Sequence, residues 1–276
     1  MDADTFSASP SSARPSSQCP PYVPGHGLLK GQSVLITAAA GQGIGFATAR
    51  RAVEEGARAL MISDIHPRRL DEAVAALKEI APETPVTGHL ADVTNEDQVQ
   101  ALVGAAEAAM EGIDVLVNNA GLGGVKPIVE MTDEEWHRVL DVTLNGTFRM
   151  TRAALRAMMP RRRGTIVNNA SVLGWRAQKG QAHYAAAKAG VMALTRCSAL
   201  EAADYGIRVN AVSPSIAMHD FLKRSAPEEV LKELAQREAF GRAAEVWEVA
   251  NVIMFLASDY ASYMVGEVVS VSSQHA

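Results

Sequence analysis

The stretch Thr37-Ala-Ala-Ala-Gly-Gln-Gly-Ile-Gly45 joins an apolar run, Ser33–Thr37, to a helical pattern over about Gly43–Glu55. A glycine-rich turn in that position lets backbone amides approach an anion, and the start of the helix favours negative charge there. Gly41, Gly43 and Gly45 leave three permissive positions, with Gln42 and Ile44 between them, yet alanines stand where such a turn usually begins. Counting back from Gly43-Ile-Gly45 puts Ala39 at the usual first glycine. Counting forward from the strand puts Ala38 there, with one residue inserted. Both alignments fit the sequence.

Working outward, short runs rich in Val and Ile recur: Ala59–Ser63, Val86–Leu90, Val115–Asn118, Thr165–Asn169, Arg208–Val212 and Val268–Val271. They read as apolar throughout, as strands buried on both faces do. Helical patterns alternate with them: Pro67–Ile80, Asn95–Met110, Asp133–Met159, Ala182–Tyr205 and Ala244–Ala257. The alternation predicts an α/β fold, a Rossmann-type doubly wound parallel sheet of seven strands in a single domain, with ligands at the strands' carboxyl ends. Thr132-Asp-Glu-Glu135 and Ser225-Ala-Pro-Glu228 have the form of capping boxes. The second opens a helix of about Pro227–Arg237 inside an insertion, about 215–240, suited to a substrate lid.

Composition narrows the function. A net charge of −5 argues against general nucleic-acid affinity. No apolar run reaches the roughly 18 residues of a membrane helix. Cys19 and Cys197 match no metal or redox spacing, and no metal site is expected. Residues 1–24, with six Ser and five Pro and no signal-peptide pattern, read as a disordered tail before a domain over 25–276. A soluble cytoplasmic protein follows.

Asp64 closes the second predicted strand, where a carboxylate would accept hydrogen bonds from a ribose diol and repel a 2′-phosphate. This favours NAD(H), while Arg68 and Arg69 leave NADP(H) open; the plainer role for Asp64 is a turn acid. Farther along, Tyr184-Ala-Ala-Ala-Lys188 sets a phenol and an ammonium on one helical face. The phenol titrates near 10, and a neighbouring ammonium favours its ionised form. Ser171, just past the fifth strand, brings a hydroxyl to the same sheet edge.

These residues, with Asp92, Asn118-Asn-Ala-Gly121 and Asn210-Ala-Val-Ser-Pro214, resemble the short-chain dehydrogenase/reductase family from about Gly31 to Ser272. The resemblance implies that Tyr184 exchanges a proton with the substrate oxygen, Ser171 orients that oxygen, and Lys188 lowers the Tyr184 pKa and holds the nicotinamide ribose. It implies that Asp92 and Val93 flank the adenine. Asn119, with Ala120 and Gly121, would support the cofactor-side turn, and Pro214 and Ile216 would border the nicotinamide. The sequence departs from the family at Thr143, where an Asn usually completes a water relay; a threonine hydroxyl could still hold a water. It departs again at Pro214-Ser215, at His219 in place of a threonine, and at Ser272-Ser-Gln274.

Arg176, Lys179, His183, His219, Lys223 and Arg224 gather basic residues around the expected mouth, which would suit the phosphates of a coenzyme A thioester or be solvated loop charge. Gly25–Leu29, Asn169–Gln178 and Ala239–Glu245 are similar to a bacterial branch assigned to steroid C/D-ring breakdown. That branch oxidises a ring hydroxyl on a hydroxy-indane carboxyl-CoA. Reduction of 3-oxoacyl thioesters is the alternative, and a cofactor-sensing or scaffold protein is the alternative of another class. The Ala-rich helix Ala182–Tyr205 is apolar on more than one face, and the family implies a homotetramer. Arg161-Arg-Arg163 reads as a solvated turn closing a helix.

Overall fold

The computed structural model describes residues 18–219, 222 and 228–273. Lys223, Arg224, Ser225 with its capping box, and Gln274 therefore lie outside the described residues, as do residues 1–17.

Seven parallel strands form the sheet, in the order β3-β2-β1-β4-β5-β6-β9. They are β1 (Ser33–Thr37), β2 (Ala59–Asp64), β3 (Val86–Leu90), β4 (Val115–Asn118), β5 (Gly164–Asn169), β6 (Ile207–Pro214) and β9 (Val268–Val271). The order reverses between β1 and β4, so a crevice opens beyond their carboxyl ends, where Thr37 and Asn118 stand. Alternation along the strands feeds two cores. Val34, Ile36, Leu60 and Ile62 pack with helices α1 (Ile44–Glu54) and α8 (Val246–Ala257). Leu35, Met61, Leu116 and Ile166 pack on the other face with α3 (Glu96–Met110) and α5 (Gly146–Met158). Full burial of each such side chain contributes about 1.5–3 kcal/mol. The edge strand β3 departs from the reading of continuous burial, because Thr87, Gly88 and Leu90 are exposed where no further strand covers them.

Helix α2 (Pro67–Ile80) has the expected bounds. The helix expected over Asp133–Met159 is interrupted. Helix α4 (Asp133–Leu140), begun by the Thr132–Glu135 capping box, runs into a widened π turn at Asp141–Asn145 before α5. The Gly146 amide bonds the Asp141 carbonyl five residues back. The extra residue is confined to a single turn, too short a stretch for the apolar pattern to mark it. The turn buries Thr143.

Helix α6 spans Ala182–Ala203, and α7 Glu228–Gln236 lies in the insertion. The insertion's two flanks pair with each other: β7 (Ala217–Met218) lies parallel to β8 (Ala244–Glu245), and the Ala244 amide donates to the Ile216 carbonyl at 2.9 Å. At the C-terminus, Ser273 donates through its amide and its hydroxyl to Glu238, while the Ala239 amide donates to the Ser273 carbonyl at 2.7 Å. The unusual ending thus fastens the far end of the insertion to β9.

Two local readings change. Packing begins before Gly25: the Tyr22 ring meets the Trp247 ring edge-on at 5.4 Å, and its hydroxyl donates to Glu54. Behind it, Arg51 and Glu55 form an ion pair of 2.8 Å with side chains only 4% and 0% exposed. Glu55 also accepts from the amides of His26 and Leu28, so a buried carboxylate secures the strap before β1. The Arg161–Arg163 turn is not simply solvated: Arg161 and Arg163 both reach Asp114. Burial pushes the Asp114 carboxyl up, but the Ser33 amide and Arg163 outweigh it and hold it below the usual range.

Candidate active site

The backbone of the glycine-rich turn bears on the choice between alignments. Ala38 has φ +50° and takes the left-handed conformation that a glycine would take freely, whereas Ala39 is simply buried. This favours the alignment that puts Ala38 at the usual first glycine, with one residue inserted. At Gly45, a Cβ would stand 2.4 Å from the Ala38 carbonyl oxygen and 2.5 Å from Asn119 Nδ2, so helix and strand approach too closely for any side chain. Gly41 and Gly43 face open space apart from His219, whose Nδ1 is 4.0 Å from a Cβ placed on Gly43. Gly43 caps α1 without a side-chain bond to the helix amides. Amides at a helix start without a side-chain cap, beside residues lacking Cβ, make a cradle that fits a pyrophosphate. Asp64 stands next to it, accepting from the Ala40 amide at 3.2 Å and the His66 amide at 3.1 Å. Arg68 turns outward to Glu72 at 3.7 Å.

Asp92 is held by Thr94, whose amide and hydroxyl both donate to it, and Val93 packs against the Gly146 position. At the switch point, the Thr37 hydroxyl accepts from the amides of Asn119 and Ala120 at 3.0 and 3.1 Å. Asn119 donates to the Ala38 carbonyl and accepts from Asn169 Nδ2 at 2.9 Å. Lys188 in turn donates to the Asn169 carbonyl. One chain of hydrogen bonds therefore runs from the glycine-rich turn to α6. Pro214 is buried at the end of β6 and Ile216 is partly buried just beyond it.

Ser171, Tyr184 and Lys188 come together. Ser171 leads a single 3-10 turn after β5, accepting from the Leu173 amide. Burial pushes the Tyr184 phenol above its ordinary value, and a hydrogen bond with Ser171 draws it partly back. This direction is opposite to the one the Tyr–Lys spacing alone suggests. The ammonium lies 5.6 Å from the Tyr184 ring centroid instead of acting as the dominant influence on the hydroxyl. Desolvation lowers Lys188 to about 8. Gly121 approaches Lys188, and a Cβ on Gly123 would be 3.5 Å from the Tyr184 ring, so the loop after β4 lies flat against both.

Thr143 is wholly buried, and its hydroxyl donates to the Leu122 carbonyl at 3.1 Å and accepts from the Leu122 amide at 3.0 Å. Its proton is thereby engaged in bracing this loop, not offered to a water. His183 is buried, with its Nδ1 accepting from the Tyr184 amide; it is not presented at an open mouth. Arg176 is partly buried and Lys179 exposed. His219 accepts from the Leu222 amide at 3.3 Å and sits by the glycine-rich turn. A separate cleft of about 180 Å³ opens between the insertion and the C-terminus, lined by Ser215, Glu238, Phe240, Arg242 and Ser273 among others, and Ser171, Tyr184 and Lys188 do not border it. Sequence reading missed the Arg51–Glu55 anchor; the signal was an i,i+4 pair that also suits a surface helix.

The family model described as enoyl-(acyl carrier protein) reductase matches residues 38–273. The chain is 62% identical over 260 residues to the Mycobacterium tuberculosis (5R,7aS)-5-hydroxy-7a-methyl-1-oxo-2,3,5,6,7,7a-hexahydro-1H-indene-carboxyl-CoA reductase, covering 94% of this chain and 98% of that one. This protein is a short-chain dehydrogenase/reductase. A 3-oxoacyl-[acyl-carrier-protein] reductase of Thermotoga maritima is 38% identical, covering 88% of this chain and 97% of its own. The crystal structure of a short chain dehydrogenase from Mycobacterium smegmatis superposes with a TM-score of 0.84 at 57% identity, covering 95% of this chain and all of that one. An NAD+-bound xylitol dehydrogenase gives a TM-score of 0.84 at 31% identity, covering 89% and 99%. The short-chain dehydrogenase/reductase is accordingly an oxidoreductase that interconverts an alcohol and a ketone with a nicotinamide cofactor. No helix among its described residues is long and apolar enough to cross a membrane.

Proposed function

We propose that the enzyme acts on a ring-hydroxylated acyl-CoA from steroid breakdown, using NAD(H). The observation that carries the chemistry is the meeting of Ser171, Tyr184 and Lys188 beside the glycine-rich cradle. The nicotinamide, when bound, gives or takes the hydride. Tyr184 moves a proton between its phenol oxygen and the substrate oxygen, and Ser171 holds that oxygen by a hydrogen bond. Lys188 supplies positive charge beneath the ring. Gly41, Gln42, Gly43, Ile44 and Gly45 cradle the pyrophosphate, and Asp64 receives the adenosine ribose. Asp92 and Val93 border the adenine, and Asn119, Ala120, Gly121, Pro214 and Ile216 line the nicotinamide side. Thr143 contributes by bracing Leu122.

The thioester reading rests on the 62% identical CoA-ester reductase and on Arg176 and Lys179, cations in the segment between Ser171 and Tyr184 that suit phosphate groups. The NAD(H) reading rests on the placement of Asp64 and on Arg68 facing Glu72. Reduction of a 3-oxoacyl thioester is the second reading, favoured by the 38% identical carrier-protein reductase. A turnover panel of hydroxyacyl-CoA substrates and free secondary alcohols, with NAD+ and NADP+, decides among these. Equal turnover of free alcohols removes the thioester reading, and loss of turnover in Tyr184→Phe with NADH binding retained is the expected signature of the mechanism.

A tetramer is supported by α6, where Ala186, Ala189, Ala193, Cys197 and Leu200 are exposed at helical spacing along one stripe. Elution as a monomer at micromolar concentration would count against it.

A further inference from the structure

We infer that His183 is a positioning residue that fixes the catalytic tyrosine and the loop facing it; the inference rests on the acid–base role given to Tyr184. Helix α6 begins without a side-chain cap from Gln181, so its first amides need partners. His183 supplies one: its Nδ1 accepts from the Tyr184 amide at 2.9 Å. A nitrogen that accepts there carries no proton, which places the imidazole proton on Nε2. The Nε2 edge faces the loop after β4, 3.6 Å from where a Cβ on Gly124 would stand. The adjacent Gly123 packs in the same way on the Tyr184 ring. The imidazole is 3% exposed, so it is wedged between the helix start and this loop.

The wedge acts on both sides of the reacting phenol. On one side it fixes the backbone from which Tyr184 projects. On the other it keeps Gly123 and Gly124 flat, so the ring stays covered and its hydroxyl stays directed at Ser171. A displacement of about 1 Å in a reacting group costs up to about a hundredfold in rate, so an imidazole that touches no substrate can still govern turnover.

Two substitutions separate the acceptor from the volume. In His183→Asn, the side-chain oxygen stands where Nδ1 stood; His183→Leu fills the space without an acceptor. Tyr184 ionisation is followed as the tyrosinate ultraviolet titration of each protein minus the same protein carrying Tyr184→Phe. Cofactor affinity is followed by NADH fluorescence, and folding by thermal melting. The expected result is that His183→Leu loses about tenfold or more in turnover on the hydroxyacyl-CoA panel, binds NADH within about twofold of normal, and moves the Tyr184 titration down towards its ordinary value. His183→Asn keeps both titration and turnover near those of the unaltered protein. Identical titrations for the Leu, Asn and unaltered proteins would overturn the inference, as would a raised substrate KM with unchanged kcat. If Tyr184→Phe turned over normally, the assigned role of Tyr184 would fail, while the titration would still report whether His183 places the phenol.

Discussion

The Lys188 ammonium donates to the Asn169 backbone carbonyl from a side chain that is almost entirely buried. Desolvation lowers its pKa from 10.5 to about 8, so near neutral pH the folded protein holds a charge that burial disfavours.

Lys188→Met therefore abolishes turnover yet stabilises the protein at pH 7, by on the order of 2 kcal/mol after allowance for the lost hydrogen bond. Between pH 8 and 10.5 the unfolded chain binds more protons than the native one, so stability of the unaltered protein rises across that window. The advantage of Lys188→Met shrinks accordingly as pH rises. Urea denaturation at pH 7 and pH 10 measures it; a difference that does not change with pH contradicts the assignment.

Ala38 carries a left-handed backbone that costs a non-glycine residue roughly 1 kcal/mol. Ala38→Gly relieves this and loses part of the gain to unfolded-chain entropy, leaving a stabilisation of up to about 0.5 kcal/mol. NADH affinity is expected to stay unchanged. A clear loss of stability would mean that the alanine methyl packs favourably.

Gly45→Ala should have the opposite outcome. Its new methyl would meet the Ala38 carbonyl and the Asn119 side chain inside 2.6 Å, and neither can withdraw without moving the strand or breaking the Asn119–Asn169 bond. Overpacking of this kind costs about 1–3 kcal/mol. NADH binding weakens too, because the cradle shifts. Fluorescence titration and a melting curve report the two effects separately.

Removing the buried anchor is expected to be the most damaging change outside the site. Glu55→Ala leaves the buried Arg51 without its counter-ion, though still bonded to the Val23 and Pro24 carbonyls, and leaves two strap amides without their acceptor, a loss of about 3 kcal/mol. The strap before β1 becomes a protease target, and limited proteolysis should cut near Gly25–Lys30 well before the domain unfolds.

Asp64→Asn tests cofactor choice. The Ala40 and His66 amides bond different oxygens of Asp64, so the substitution removes the charge, keeps an oxygen for one amide and turns an NH2 group towards the other. The ratio of NAD+ to NADP+ efficiency, kcat/KM, should fall by about tenfold as repulsion of a 2′-phosphate disappears. An unchanged ratio would assign the discrimination elsewhere.

Apolar runs and turn chemistry carried most of the fold. β1 and β4 have the expected bounds because buried strands between polar turns are legible as short runs of Val, Leu and Ile. The catalytic constellation was legible for a similar reason, since Tyr184 and Lys188 share a face by simple helical spacing. What sequence left open depended on single dihedral angles or on distant contacts. The π turn at Asp141–Asn145 is confined to one turn, too short for the apolar pattern to mark, and within it the Thr143 hydroxyl bonds Leu122. Ala38 and Ala39 are the same residue type, so only φ distinguishes them. His183 read as a cation among cations, and its burial depends on a loop some sixty residues earlier in the chain, Gly123-Gly124.

The pairing of Ala217–Met218 with Ala244–Glu245 closes the neck of the insertion like a clasp. Everything threaded between those two short strands enters and leaves the domain through one fixed gate, while the sheet that carries Ser171 and the helix that carries Tyr184 and Lys188 lie outside it. The architecture is thus modular. Substitution beyond the clasp, in Glu228–Gln236 for example, is expected to leave the strand and the helix that position Ser171, Tyr184 and Lys188 as they are.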